Sequence, residues 1–404
     1  MQSIKYDIAI VGGGIVGMST AYKIQKKYPK LNLIILEKEK ELAFHQTGRN
    51  SGVIHSGLYY TPGSYRAKNC VDGRVQLVEF AKKYDIKHDV CGKIVLAVNQ
   101  KESKQLITLK QKGEKNGLTN LEIIDMKKVK EIEPYAEGVS ALFVPQSGII
   151  DYKGVTNKLA ELIKEINSES RIETNCEVLN IGNEKLFSTK GTINASHSIF
   201  CGGLFSDRLA IKDNLELKMQ IIGFRGDYYE LEDTSKYKVK NLIYPVPNPE
   251  FPFLGIHFTR MTDGSIECGP NAVFTFKREG YKKTDFNLKD SWDALTFSGT
   301  WKLFINHWKF GLNEYRRAFS KRLFLKELKK MVPSLTMEEI KIGRSGVRAM
   351  ALGNDGKVIE DFMIVKNDKN IHILNAPSPA ATACLAIGDE IVEHATKSFD
   401  LNNK

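Results

Sequence analysis

The sequence predicts an α/β protein of more than one domain, built around a Rossmann-like dinucleotide-binding unit. Three observations carry this. An apolar run of strand length, YDIAIV (6–11), leads into GGGIVG (12–17), then the helical pattern MSTAYKIQKKY and a second apolar run, LNLIIL (31–36), ending at Glu37. A strand, a glycine turn and a helix recur in SHSIFCGGLFSDRLA (196–210). The chain has 404 residues, too many for one small core.

The first observation is chemically specific. Gly12, Gly14 and Gly17 have the G-x-G-x-x-G spacing. The first glycine permits a tight turn, the second lets backbone approach a pyrophosphate, and the third lets helix and strand pack closely. The helix N-terminus then meets negative charge. Glu37 follows Gly17 by twenty residues, where an acid can hydrogen-bond a ribose hydroxyl. Spacing alone is weak evidence; strand, fingerprint, helix, strand and acid in register are strong evidence for an adenine dinucleotide. FAD and NAD both remain open here. GFRG (223–226) and GRSG (343–346) lack the spacing, so one dinucleotide is expected.

Composition narrows the function classes. No run of ~18 apolar residues occurs, so no spanning helix is expected, and the N-terminus shows no cleavable signal. The six cysteines are scattered singly without C-x-x-C or Cys/His spacing, which argues against a metal site or a disulfide framework. Reduced thiols and a cytoplasmic location follow as expectations. The net charge of +11 comes without a basic tail or an aromatic-basic repeat, so nucleic acid is not an expected partner. A solvated surface and attraction to an anionic membrane both fit. The segment 295–332 mixes Trp, Phe and Leu with Lys and Arg, and reads either as packed helices or as a surface that docks peripherally on the inner face of the cell membrane.

Glu37 is followed closely by HQTGRNSGVIHSGLYY (45–60), which is dense in Gly, His and Tyr and follows neither a helical nor a strand period. Here the chain resembles FAD-dependent oxidoreductases of the D-amino-acid-oxidase type, in which such a segment runs along the flavin. With FRGDYYEL (224–231), IYPVPNPEFPFLGIHFTRMTDGSIECGPNA (243–272), FKREGY (276–281), GVRA (346–349) and NAPSPAAT (375–382), it resembles the L-2-hydroxyglutarate dehydrogenase/oxidase family from end to end.

That resemblance implies an FAD-binding domain assembled from 1–85, 145–212 and 336–404. It also implies an antiparallel-sheet substrate-binding domain from 86–144 and 213–335. Strand-like pieces such as KIVLAVN (93–99) and DYYELE (227–232) fall outside the nucleotide segments. The implied reaction is oxidation of L-2-hydroxyglutarate to 2-oxoglutarate by hydride transfer from C2 to flavin N5. Electrons would pass to quinone or oxygen. A related flavoenzyme acting on an amino acid or glycerol-3-phosphate is the competing reading, and a flavin-binding redox sensor is a third.

His55 is the first choice for the base that takes the hydroxyl proton; the alternative is a histidine that only hydrogen-bonds flavin or backbone. Tyr59 and Tyr60 are candidates to line the substrate pocket. Arg348 is expected to grip the C1 carboxylate bidentately, the alternative being an interdomain salt bridge. Arg225 ranks first for the second carboxylate, ahead of Arg260, Lys277 and Arg278. His257 and Thr259 alternate along GIHFT and share one face, either substrate ceiling or core. Expected FAD contacts are Gly12, Gly14, Gly17, Glu37, Lys38, Thr47, Asn50, Ser51, Gly52, Val178, Gly202, Gly203, Ser378, Pro379, Ala380 and Ala381. Ser378 suits an N-cap and Pro379 a first helical residue, giving a helix whose positive end would face the flavin. Non-covalent FAD is expected, and no metal.

Overall fold

The computed structural model describes residues 5–247 and 255–403, so residues 248–254, inside the quoted stretch 243–272, lie outside the described residues. Two sheets organise the fold.

The eight-stranded sheet starts from the fingerprint. Lys5–Val11 pairs in parallel with Leu33–Leu36 on one side and Gly191–Phe200 on the other. Arg171–Glu173 and Asn370–Asn375 extend the parallel part at its two ends, while Val178–Gly182, Lys185–Ser188 and Met363–Lys366 add antiparallel strands. Strands from three separated stretches of chain therefore form one sheet. The helix Ile15–Lys27 packs on it with Tyr152–Ile166 and Cys384–Ser398, burying Ile8, Ile10, Met18, Ile24, Ile35, Leu159, Ile199 and Ile391 in one core. Burial of side chains of this size stabilises by roughly 1.5–3 kcal/mol each before entropy is counted.

The nine-stranded sheet is mixed and mostly antiparallel. Its spine is a long ribbon in which Met219–Leu231 runs against Ile340–Gly353, from Met219 opposite Gly353 to Leu231 opposite Ile340. The expected return to the FAD-binding segments at residue 336 therefore falls early, because Ile340–Gly353 is committed to this second sheet. Lys93–Ala97, Leu242–Pro245, His257–Arg260 and Ile266–Gly269 lie beside the ribbon.

A three-stranded sheet of Val53–Ile54, Gly148–Ile150 and His88–Asp89 anchors the loop before His55. The segment 295–332 is helical: Leu288–Thr296, Ser298–Phe319 with a kink at His307, and Lys321–Leu328. Among the described residues no helix is long and apolar enough to cross a membrane.

Candidate active site

One cavity of about 1330 Å³ runs from the glycine fingerprint to the ribbon of the second sheet. At one end stand Gly12, Gly14, Gly17, Glu37, Lys38 and Val178; along it lie Thr47, Asn50, Ser51, Gly202 and Gly203. At the other end His55, Tyr59, Tyr60, Tyr228, Tyr244, His257 and Arg348 meet Ser378, Pro379, Ala380 and Ala381.

The fingerprint end is built for close backbone approach. Gly12 has φ +117°, and a Cβ there would sit 2.3 Å from the Cys201 carbonyl oxygen. A Cβ on Gly17 would lie 2.0 Å from the Gly12 oxygen, so neither position admits a side chain. Glu37 is buried and accepts the Gly13 N–H at 2.7 Å and the Glu39 N–H at 2.9 Å, which fixes its carboxylate at the cavity. Thr47 accepts the Ile15 N–H at 3.0 Å, serving the helix start from outside the helix. Asn50 stitches its own loop, donating to Thr47 and accepting from Gly52 N.

Lys38 pairs with Glu279 of the 276–281 stretch, and His45 reaches Glu39, Glu279 and Tyr281. Glu39, His45 and Glu279 have the spacing of a metal site, but the Lys38 ammonium supplies the cation, and the group ties the two sheets together beside the cavity.

At the far end His55 is held by its backbone. Its N–H donates to Thr382 Oγ1 at 3.1 Å, and the Tyr152 hydroxyl lies 2.8 Å from both Thr382 Oγ1 and the Val53 carbonyl. Burial, with Lys93, His257 and Arg66 nearby, pushes the imidazole down to about 3, so it is neutral at physiological pH. His257 is pushed down to about 4 by burial. Its Nδ1 lies 2.8 Å from the Gly255 carbonyl, which can only accept, so Nε2 is left as an acceptor. Its ring stacks on Tyr244 at 3.9 Å.

In the ribbon Gly346 pairs with Gly226 and Arg348 with Phe224, and Gly226, Tyr228, Gly346 and Arg348 line the cavity. Arg348 donates from Nη1 to the Asn271 carbonyl at 3.2 Å, and burial lowers its pKa.

Four expectations are corrected. Arg225 does not line the cavity; it pairs with Asp227 at 2.7 Å and donates to the Lys282 carbonyl at 2.9 Å. Thr259 shares its face with His257 but sits further along the strand, buried against the Tyr244 hydroxyl without hydrogen-bond geometry and off the cavity. Gly52 is also off it: its carbonyl accepts Ile150 N in the small sheet, and a Cβ there would face Met261. Ser378 caps no helix. Residues 377–383 form turns, and the helix starts at Cys384 with Ala383 as its cap.

Several lining residues escaped the sequence reading. Gln46 accepts the Ala349 N–H at 3.1 Å, Arg66 donates twice to the Ser378 carbonyl at 2.9 and 2.7 Å, and Tyr228 stands beside Arg348. Tyr228 and Tyr244 lie inside quoted stretches; Arg66 had no local signal.

A glycine cradle with a fixed acid opens into a chamber of neutral histidines and a buried guanidinium, an arrangement able to hold a dinucleotide with an anion beside it. The family described as DAO, FAD dependent oxidoreductase, matches residues 7–394. The chain is 43% identical over 399 residues to the L-2-hydroxyglutarate dehydrogenase of Indibacter alkaliphilus, covering 98% of this chain and 100% of that one. It is 41% identical to the mitochondrial L-2-hydroxyglutarate dehydrogenase of Homo sapiens, covering 98% and 90%, and 41% identical to that of Escherichia coli K12, covering 96% and 92%. Among solved structures, FAD-bound L-alpha-glycerophosphate oxidase from Mycoplasma pneumoniae superposes with TM-score 0.77 at 22% identity, over 96% of this chain and 94% of that one. Glycine oxidase from Geobacillus kaustophilus gives TM-score 0.70 at 15% identity, over 96% and 94%, so the fold is shared. The chain belongs to the FAD-dependent oxidoreductases, on their L-2-hydroxyglutarate dehydrogenase branch.

Proposed function

We propose that this protein oxidises L-2-hydroxyglutarate to 2-oxoglutarate. The observation that carries this reading is the identity of 41–43% along nearly the whole chain to relatives named for that dehydrogenase activity. The eight-stranded sheet is read as the body that holds the cofactor, and the nine-stranded sheet as the body that presents the substrate.

FAD, when bound, supplies the hydride acceptor for a secondary alcohol. Gly12, Gly14, Gly17 and Glu37 would hold its adenosine and pyrophosphate end, with Thr47, Ser51, Gly202 and Gly203 along it and 378–381 at the opposite end. The protein's own tasks are then three. Arg348 holds the C1 carboxylate, each charged hydrogen bond contributing roughly 1.5–3 kcal/mol. His55 takes the hydroxyl proton, for which its imidazole is already unprotonated. Tyr59, Tyr60 and Tyr228 wall the chamber from water.

The electron acceptor is read as a quinone met at a membrane surface. Trp292, Trp301, Ile305 and Trp308 are 68%, 53%, 69% and 59% exposed. Trp301 and Ile305 share one face before the kink at His307, and Trp308 and Leu312 share one after it, with Lys302, Lys309 and Arg316 close by in sequence. Exposed tryptophans among cations suit an anionic interface. The helix carrying Trp292 also contributes Lys289 and Asp293 to the cavity lining.

The test is a turnover assay of the holoenzyme with a soluble dye, scoring 2-oxoglutarate from L-2-hydroxyglutarate against amino acids and glycerol-3-phosphate. Turnover of an amino acid in preference to the hydroxy acid would overturn the substrate assignment. Sedimentation with phosphatidylglycerol vesicles tests the surface. The parent should co-sediment and a Trp301→Ser/Trp308→Ser variant should not, with unchanged dye turnover.

A further inference from the structure

Lys93 opens the strand Lys93–Ala97 in the middle of the second sheet and is only 2% exposed. It sits at the edge of an apolar cluster that includes Val95, Val144, Leu58 and Tyr244. Its ammonium lies 4.5 Å from the ring centroid of Tyr59 and 4.7 Å from that of Tyr244, both cavity-lining rings. Among the described residues no carboxylate forms an ion pair with it; the Cys70 thiol and the imidazoles of His55 and His257 share its field. Cation–π contact offsets only part of the cost of burying an unpaired ammonium. The hydroxyls of Tyr59 and Tyr244 are buried without a hydrogen-bond partner. Lys93 itself does not line the cavity, but the rings of Tyr59 and Tyr244 over its ammonium do, so a receptor for an anion lies where these two rings meet the chamber.

The other end of that receptor is Arg348. His257 lies in the field of both Lys93 and Arg348, each of which disfavours its charged form. Arg225, the residue the sequence offered for a second carboxylate, is neutralised by Asp227 outside the cavity. Arg348 in the cavity wall and Lys93 behind the rings of Tyr59 and Tyr244 offer a cation for each end of a dianion, while Arg66, also in the wall, is turned to the Ser378 carbonyl.

We propose that Lys93 receives the carboxylate at the far end of the substrate, and so selects a 2-hydroxy diacid over a 2-hydroxy monoacid. Tyr59 donates the accompanying hydrogen bond, and the ring of Tyr244 shields the pair from water. The inference rests on the substrate reading above and adds the residue that enforces it.

The experiment compares anaerobic flavin reduction of the holoenzyme by L-2-hydroxyglutarate and by L-2-hydroxypentanoate, in the parent and in Lys93→Met and Lys93→Gln. The parent should prefer the diacid by about 100-fold, as one charged hydrogen-bonded contact provides. In both variants the preference should collapse to within about threefold, with reduction by the monoacid nearly unchanged. Variants that retain FAD and the parent's preference would overturn the role of Lys93. A parent that L-2-hydroxyglutarate does not reduce would overturn the substrate reading, and this inference with it. A measurement on the parent alone covers variants that fail to fold. Binding of glutarate at about pH 8 should draw close to one proton from the medium, because burial pushes Lys93 down to about 7, and pentanoate should draw none. Equal proton uptake for both acids would overturn the proposal.

Discussion

The Thr382 hydroxyl accepts the backbone N–H of His55 at 3.1 Å, joining the last cavity segment to the loop that follows the second strand. The same oxygen meets the Tyr152 hydroxyl, so one small side chain fixes a candidate base and a buried tyrosine together. Thr382→Val keeps the shape and removes the oxygen. A buried donor left unpaired costs about 1–3 kcal/mol, so the holoenzyme should melt several degrees lower, and Thr382→Ser should recover most of the loss in a thermal-unfolding experiment.

His55→Ala should slow flavin reduction by roughly 10²–10⁴-fold with a change of less than about threefold in substrate Kd. The parent should also show no loss of limiting reduction rate from about pH 8 down to about pH 5. The imidazole sits at about 3, so it is already unprotonated across that window. An inflection near 6.5 in the parent would contradict this.

Arg348→Ala should weaken every 2-hydroxy acid alike, by roughly 10–100-fold in Kd from lost charged hydrogen bonds. Arg348→Lys should recover only part, since an ammonium cannot grip a carboxylate through a planar fork. Stopped-flow saturation curves separate this loss from any change in limiting rate.

Affinity for the diacid should depend on pH with one sign. Lys93 carries its proton below about 7 and loses it above. The groups facing it are Tyr59 and Tyr244, pushed up by burial, Cys70, pushed up to about 12, and His55 and His257, which stay uncharged. Kd for glutarate should therefore stay flat below about pH 7 and rise about tenfold per unit above it. In Lys93→Met the rise should vanish.

Gly17→Ala should abolish FAD retention, since its Cβ would lie 2.0 Å from the Gly12 carbonyl oxygen. Absorbance of the purified variant near the flavin bands reads this directly.

The parts legible in the sequence were those encoded locally. Gly12, Gly14, Gly17 and Glu37 declare themselves because turn, helix start and acid lie within one βαβ unit, and all four line the cavity. Arg348 was picked out by the family resemblance carried in GVRA rather than by any local pattern, and it too lines the cavity. Arg225 misled because a cation between glycines says nothing about which face its strand presents, and the ribbon's register turns it toward Asp227. Ser378 looked like a cap because Ser-Pro is a good helix opening, yet the chain turns through 377–383 before Cys384. Lys93 had no local signal at all. It reads as an ordinary strand-edge lysine until Tyr59 and Tyr244, from two other parts of the chain, close over it.

The central claim is tested most directly by mixing the oxygen-free yellow holoenzyme with each enantiomer of 2-hydroxyglutarate and following flavin absorbance. Complete bleaching by the L-enantiomer, with one 2-oxoglutarate formed per flavin and none from the D-enantiomer, is the predicted result. Bleaching by neither, or equally by both, would contradict the account.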